Sequence, residues 1–164
     1  MKLKYFSWLP AFILMVIIFA FSSQEATTSD ENSLPIAQVA YEIFEELSNQ
    51  EIESNKEQEI INVINVLVRK SAHFLEYALL SFLIAFHIWA CNKKVNVIFL
   101  LAIVISFIYA SSDEFHQLFV EGRSGQFKDV LIDTSGAVVG SYIFTKLITI
   151  LNQLRYKING NVSN

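Results

Sequence analysis

The chain has 164 residues, with 12 Lys and Arg against 16 Asp and Glu, a net charge of −4, and 53% hydrophobic against 17% charged residues. Soluble domains carry about 25% charged residues, and here the deficit is concentrated in long uncharged runs, which excludes a soluble enzyme built around one large core in favour of membrane spans. The acidic balance leaves no basic stripe for nucleic acid, and the single cysteine, Cys91, forms neither an internal disulfide nor a zinc site by itself.

Tyr5 to Gln24 runs 20 residues without a charge, about one bilayer crossing at a rise of roughly 1.5 Å per residue. Lys2 and Lys4 precede it, and Ala20-Phe21-Ser22 resembles a small-x-small cleavage site, so a secretory signal is the alternative. Bulky Phe19 and Phe21 and the length of the apolar run favour a retained anchor. The next segment, residues 25–69, is different: its ten acids between Glu25 and Glu59 are accompanied by one lysine, Lys56. Two amphipathic helices are predicted there. Ser33 caps the first, with Pro35 in its first turn and Ile36, Ala37, Ala40, Ile43, Phe44 and Leu47 on the face opposite Glu42, Glu45 and Glu46. Ser54 and Glu57 form a capping box for the second, which can run unbroken into the following span. This hairpin is either a lid or partner-docking surface, or an amphipathic layer with solvated acids; its deletion over residues 32–49 is expected to leave any lipid site intact.

Three further spans follow: Ser71 to Ala90, Val95 to Ser112, and Val130 to about Leu151. His87, deep in the second, reads as an interhelical hydrogen-bonding group, the alternative being a proton relay. Gly136 and Gly140 make a small-xxx-small ridge in the fourth, and Lys146 near its end can snorkel. Lysines and arginines dominate the two tails and the connection at Lys93-Lys94, whereas acids dominate the other two connections. By the positive-inside rule both termini are cytoplasmic and the acidic connections external, despite Arg69, Lys70, Arg123 and Lys128 on the outer side. The expected fold is therefore all-α: a multi-pass cell-membrane protein of four transmembrane helices with an external amphipathic helical hairpin, residues 1–164 forming a single membrane domain.

Ionisable groups inside apolar helices are costly and mark candidate sites. With the expected topology they converge on the outer edge: Lys70, His73, Glu76 and Tyr77 on one face of the second span, Asp113, Glu114, His116 and Gln117 at the end of the third, Arg123 in the turn Gly122-Arg123-Ser124-Gly125, and Asp129 and Asp133 one turn apart opening the fourth. Individually these are ordinary ion pairs or helix-dipole partners; together they are a site-like density. His73 and Glu76 form a candidate catalytic acid/base pair. Arg123 suits bidentate contact with a phosphate or carboxylate. Lys70, Tyr77, Asp113, Glu114, His116, Gln117, Asp129 and Asp133 complete the candidate ligand-binding set. The carboxylates and histidines are suitable metal ligands, but their spacing matches no metal motif, and no metal or other cofactor is expected. Ser22 or Ser124 with His73 as a serine hydrolase lacks a nucleophile elbow.

Phe21-Ser22-Ser23-Gln24, the block Arg69-Lys70-Ser71-Ala72-His73-Phe74-Leu75-Glu76-Tyr77, and the block from Ser112-Asp113-Glu114-Phe115-His116-Gln117 to Gly122-Arg123-Ser124, continuing through Asp129 and Asp133 to Gly136, together resemble the VanZ-like family of bacterial membrane proteins. The resemblance implies a four-helix membrane protein of the cell envelope, in a family named for a member associated with low-level resistance to the glycopeptide teicoplanin. It implies no settled reaction, and the acidic segment exceeds what the family needs. Two functions are expected from these readings. One is an outer-edge polar pocket that binds or processes an anionic lipid or lipid-linked cell-wall molecule, linked to glycopeptide susceptibility, with turnover left open. The other is a non-catalytic accessory protein that docks a protein partner through residues 25–69.

Overall fold

The computed structural model describes residues 3–48, 54–91 and 93–162, and among them every regular element is an α-helix. In chain order these are α1 (Leu3–Phe6), α2 (Leu9–Ser22), α3 (Ala26–Ser48), α4 (Ser54–Ala90), α5 (Val95–Gln117) and α6 (Phe127–Val162). Four segments are long and apolar enough to cross a membrane: Lys4–Ser22, Lys56–Ala90, Val95–Gln117 and Phe127–Asn159. Their exposed side chains include Phe12, Ile13, Val16, Leu100, Ile108, Leu147 and Ile150, a surface suited to acyl chains rather than to water. The protein is a multi-pass membrane protein.

The first span is interrupted near its start. Pro10 sits in the first turn of α2, where its missing N–H costs no helical bond. In the break before it, buried Ser7 places its Oγ 2.8 Å from His87 Nδ1. His87 thus has the interhelical hydrogen bond expected of it.

The spine of the bundle is the crossing of α4 and α6, which have 37 and 36 residues and so extend about 55 Å each. Their approach is set by the glycine ridge. A Cβ at Gly136 would overlap the Phe74 carbonyl oxygen, and one at Gly140 the Ala78 carbonyl oxygen. Lipid supplies no hydrophobic force between helices, so such close backbone packing is what holds them. α5 packs against both, and α2 against α4 and α5. Ile18, Tyr77, Leu80, Ile84, Ile98, Ala102, Val130 and Phe144 form the common core. Ser141 Oγ donates to the Phe99 carbonyl at 3.1 Å, tying α6 to α5.

α4 runs unbroken from the hairpin into the span, as its pattern predicts, and its first turns carry α3. A satellite core of Ala37, Tyr41 and Ile61, with Leu34, Ile60, Ile64 and Val68 around it, joins the two helices. On the other side of α3, Ile36, Val39, Ile43, Phe44 and Leu47 are exposed. α3 begins two turns before the expected cap at Ser33. Its start is held by the Ala26 N–H, which donates to the Glu121 carbonyl at 3.2 Å, a tertiary anchor that no local cap signal reveals. Pro35 therefore lies inside the helix, and Ser33 Oγ donates back to the Ser29 carbonyl at 3.0 Å instead of capping. The hairpin turn, with Asn49, and the Ser54 side chain of the capping box lie outside the described residues.

The helices of two spans also run past the expected limits. α5 continues past Ser112 to Gln117, and α6 runs from Phe127 to Val162 rather than from Val130 to about Leu151. In α5 the uncharged run ends at Asp113, but the helix does not, because that acid is buried against its neighbours.

Candidate functional site

At one end of the bundle the ends of α2 and α5 meet the beginnings of α3 and α6 and the middle of α4. The connection from Leu118 to Gln126 closes over them. Gly122 turns the chain with φ 72°, the left-handed region that glycine enters freely. A Cβ at Gly125 would overlap the Glu114 carbonyl oxygen, so only glycine lets the connection lie on α5. Pinned this way, the Gln126 N–H donates to Glu114 Oε2 at 2.9 Å, and Arg123 Nε donates to the Gln24 carbonyl at 3.1 Å.

Beneath the connection is a cavity of about 360 Å³ lined by Lys70, His73, Glu114, Gln117, Arg123, Asp129 and Asp133, joined by Asp30, Arg69 and Gln126. A second, more apolar cleft of about 330 Å³ adjoins it. Phe21, Ile36, Val68 and Glu76 line this cleft, and Arg69, His73 and Arg123 are common to both spaces. α3 walls the two, through Ala26 and Asp30 in the first and Ser33 and Ile36 in the second. Residues 32–49, whose deletion is expected to spare a lipid site, thus contribute Ser33 and Ile36 to the wall of the second cleft.

Three cations border the cavity. Arg69 Nη1 is 2.5 Å from Asp30 Oδ1, and Lys70 pairs with Asp129. Burial, and then the charge of nearby Arg69, push the Arg123 guanidinium below its ordinary pKa. A guanidinium nevertheless stays protonated in proteins, so two like charges stand close together at the cavity. An anion between them relieves that repulsion and satisfies planar N–H donors.

The acids lie deeper. Asp113, Glu114 and Asp133 are 2%, 6% and 1% exposed. Glu114 is satisfied by Gln126. Asp113 Oδ2 accepts from Gln117 Nε2 at 3.3 Å while its Oδ1 has no partner, and both carboxylate oxygens of Asp133 are buried without one. Gln117 Nε2 also donates to Ser22 Oγ at 3.0 Å, which ties α5 to the end of α2.

Other predicted residues have different surroundings. His73 Nδ1 lies 3.8 Å from Glu76 Oε2, an ion-pair separation that is too long for a hydrogen bond, and that nitrogen is buried without a partner. Glu76 lines the apolar cleft, not the polar cavity. Tyr77 is in the core, its ring 6.0 Å from that of Tyr109 and its hydroxyl unpartnered. His116 turns to α2, with Nε2 3.2 Å from Ser23 Oγ and its ring 4.7 Å from that of Phe19. The two serines considered as nucleophiles are engaged elsewhere, Ser22 by Gln117 and Ser124 by Gln126 Nε2 at 3.1 Å. Among the described residues no three His, Cys, Asp or Glu side chains are grouped to ligate a metal ion.

Sequence reasoning missed Asp30, Arg69 and Gln126 as site residues. Asp30 looks like any other acid of its segment, and only the docking of α3 brings it to Arg69. Arg69 adjoins Lys70 in the motif block, which was the available signal. Gln126 contributes through its backbone, and no side-chain pattern announces that.

No curated protein and no solved structure matches the chain. The family model described as VanZ/LLP1 does, over residues 7–151, a range that takes in the second and third spans whole, most of the first and fourth, and every residue of the two cavities. With that coverage, and with the motif blocks assembled around one connection, the chain belongs to the VanZ/LLP1 family.

Proposed function

We propose that this is a cell-envelope protein whose polar cavity holds the anionic group of a lipid or lipid-linked cell-wall molecule on the external side of the membrane. The observation that carries this reading is the shared wall of Arg69, His73 and Arg123 between a polar cavity and an apolar cleft. A cavity of about 360 Å³ accepts a headgroup; a hydrocarbon chain leaves through the cleft beside Phe21, Ile36 and Val68. In the same proposal, sequestration of that molecule links the protein to glycopeptide susceptibility, teicoplanin included, and His73 and Glu76 are the groups that would move a proton if the ligand is turned over.

Native mass spectrometry of the full chain, extracted with its lipid, tests the reading. Wild type should retain a phosphate-bearing amphiphile, and Arg123→Gln should lose it while remaining folded. A docked-partner function through the acidic face of α3 predicts the opposite pattern: no lipid dependence on Arg123, and loss of a co-purifying protein when Glu42, Glu45 and Glu46 are changed together to Gln. That result would set the pocket reading aside.

A further inference from the structure

The deepest group in the polar cavity is also the least satisfied. Asp133 is 1% exposed, and among the described residues neither of its carboxylate oxygens has a hydrogen-bond partner. Its carboxylate neighbours do not help it: Glu114 is 6% exposed and occupied by the Gln126 N–H, and Asp113 is 2% exposed with one oxygen unpartnered. Two of the cations that line the cavity are paired with other acids, Lys70 with Asp129 and Arg69, through one of its guanidinium nitrogens, with Asp30. A carboxyl buried without donors is costly, and a second and third carboxyl beside it add repulsion. An incoming ligand that carries donors would satisfy such a group.

Its place in the cavity narrows what that ligand supplies. Arg69 and Arg123, partly exposed, line the same space as fully buried Asp133. The cavity therefore joins two partly exposed guanidinium groups to one buried, unsatisfied acid. A hydroxyl would offer Asp133 one donor and no charge. A primary ammonium offers three donors and offsets the excess of buried carboxyl groups. A quaternary ammonium has no donor to give. A compact group carrying its own donors therefore suits the buried carboxyl.

We propose that the deep part of the cavity is a subsite for a primary ammonium group held by Asp133, so that the ligand is an amphiphile with an amino-phosphate headgroup, its phosphate at Arg69 and Arg123. The inference rests on the reading of this cavity as a lipid-headgroup site and names the class of headgroup. The ammonium has two sources, a phospholipid or a lipid-linked cell-wall molecule bearing an amine, and the mass of the molecule retained from native membrane distinguishes them.

The test uses purified full-length protein and lipids of matched chains: phosphatidylethanolamine, its N-methyl and N,N-dimethyl derivatives, phosphatidylcholine and phosphatidylglycerol. Wild type should prefer phosphatidylethanolamine over phosphatidylglycerol and phosphatidylcholine by about tenfold, the order of one charge-assisted hydrogen bond, and retention should fall stepwise as methyl groups replace N–H donors. Asp133→Asn should bring phosphatidylethanolamine down to the level of phosphatidylglycerol, whereas Arg123→Gln should lower both. Because Asp133 is buried, its variant risks misfolding, and the methylation series on wild type decides without it. Equal retention of all five lipids, or a preference for phosphatidylglycerol, overturns the ammonium subsite and leaves the lipid-headgroup reading standing. Retention of no lipid, or retention indifferent to Arg123, removes both.

Discussion

Arg123 combines a charge that must remain with a position that burial makes unfavourable, and the glycines on either side explain how it is kept there. Gly122 supplies the left-handed turn and Gly125 the contact with α5. Arg123→Lys keeps the charge but not the planar fork or the Nε bond to the Gln24 carbonyl, and lipid retention by native mass spectrometry should drop by about tenfold. Gly122→Ala places a Cβ at a φ of 72° and 3.0 Å from Ala26 Cβ, so thermal unfolding should show a loss of about 1 kcal/mol or more. His73 and Glu76 sit at 3.8 Å, an ion-pair separation. His73→Ala and Glu76→Gln should each abolish a glycopeptide-resistance phenotype at near wild-type membrane abundance; parallel loss of the protein itself would show that the two groups serve folding instead.

At the scale of helices, the two contacts that matter have different physical origins. α4 and α6 are held by backbone approach at Gly136 and Gly140, where any side chain meets a carbonyl oxygen of α4. Gly140→Leu should therefore separate the spine, and the variant should lose its monodisperse peak in detergent size-exclusion chromatography. α3 is held instead by apolar burial around Tyr41, which is 5% exposed. Tyr41→Ala removes most of the satellite core, at a cost of about 3–5 kcal/mol. Limited proteolysis should then cut within Ala26–Ser48 while the four spans stay protected. Since α3 walls both cavities, this variant should also lose lipid, an outcome that an independent hairpin would not produce.

For the whole molecule, orientation follows from where the basic residues lie. Reporter fusions after Lys94 and Arg155 should read cytoplasmic, and fusions near Asn49 and Gly122 external. A cytoplasmic signal at Asn49 would move the cavity to the inner face and exclude external cell-wall molecules as its ligand.

Much of the architecture was legible in the chain because it depends on composition and period. Uncharged runs of about one bilayer thickness identify the spans, the glycine pair identifies the tightest helix contact, and the acidic amphipathic segment stands out from everything around it. The motif residues were likewise visible as ionisable groups where a membrane helix tolerates few. What composition does not carry is the direction and partner of each side chain. Glu76 and Lys70 share a helical face, yet one lines the apolar cleft and the other the polar cavity. His116 reads as a member of the layer but turns to Ser23 and Phe19. Asp30 reads as one solvated acid among ten but pairs with Arg69 across two helices. Asp129 and Asp133, one turn apart, have opposite fates, since Lys70 reaches the first and nothing reaches the second. Local pattern determines which residues enter the membrane edge; which of them are satisfied there depends on contacts between distant segments, and that was decided only when α3 and the Leu118–Gln126 connection closed over the bundle.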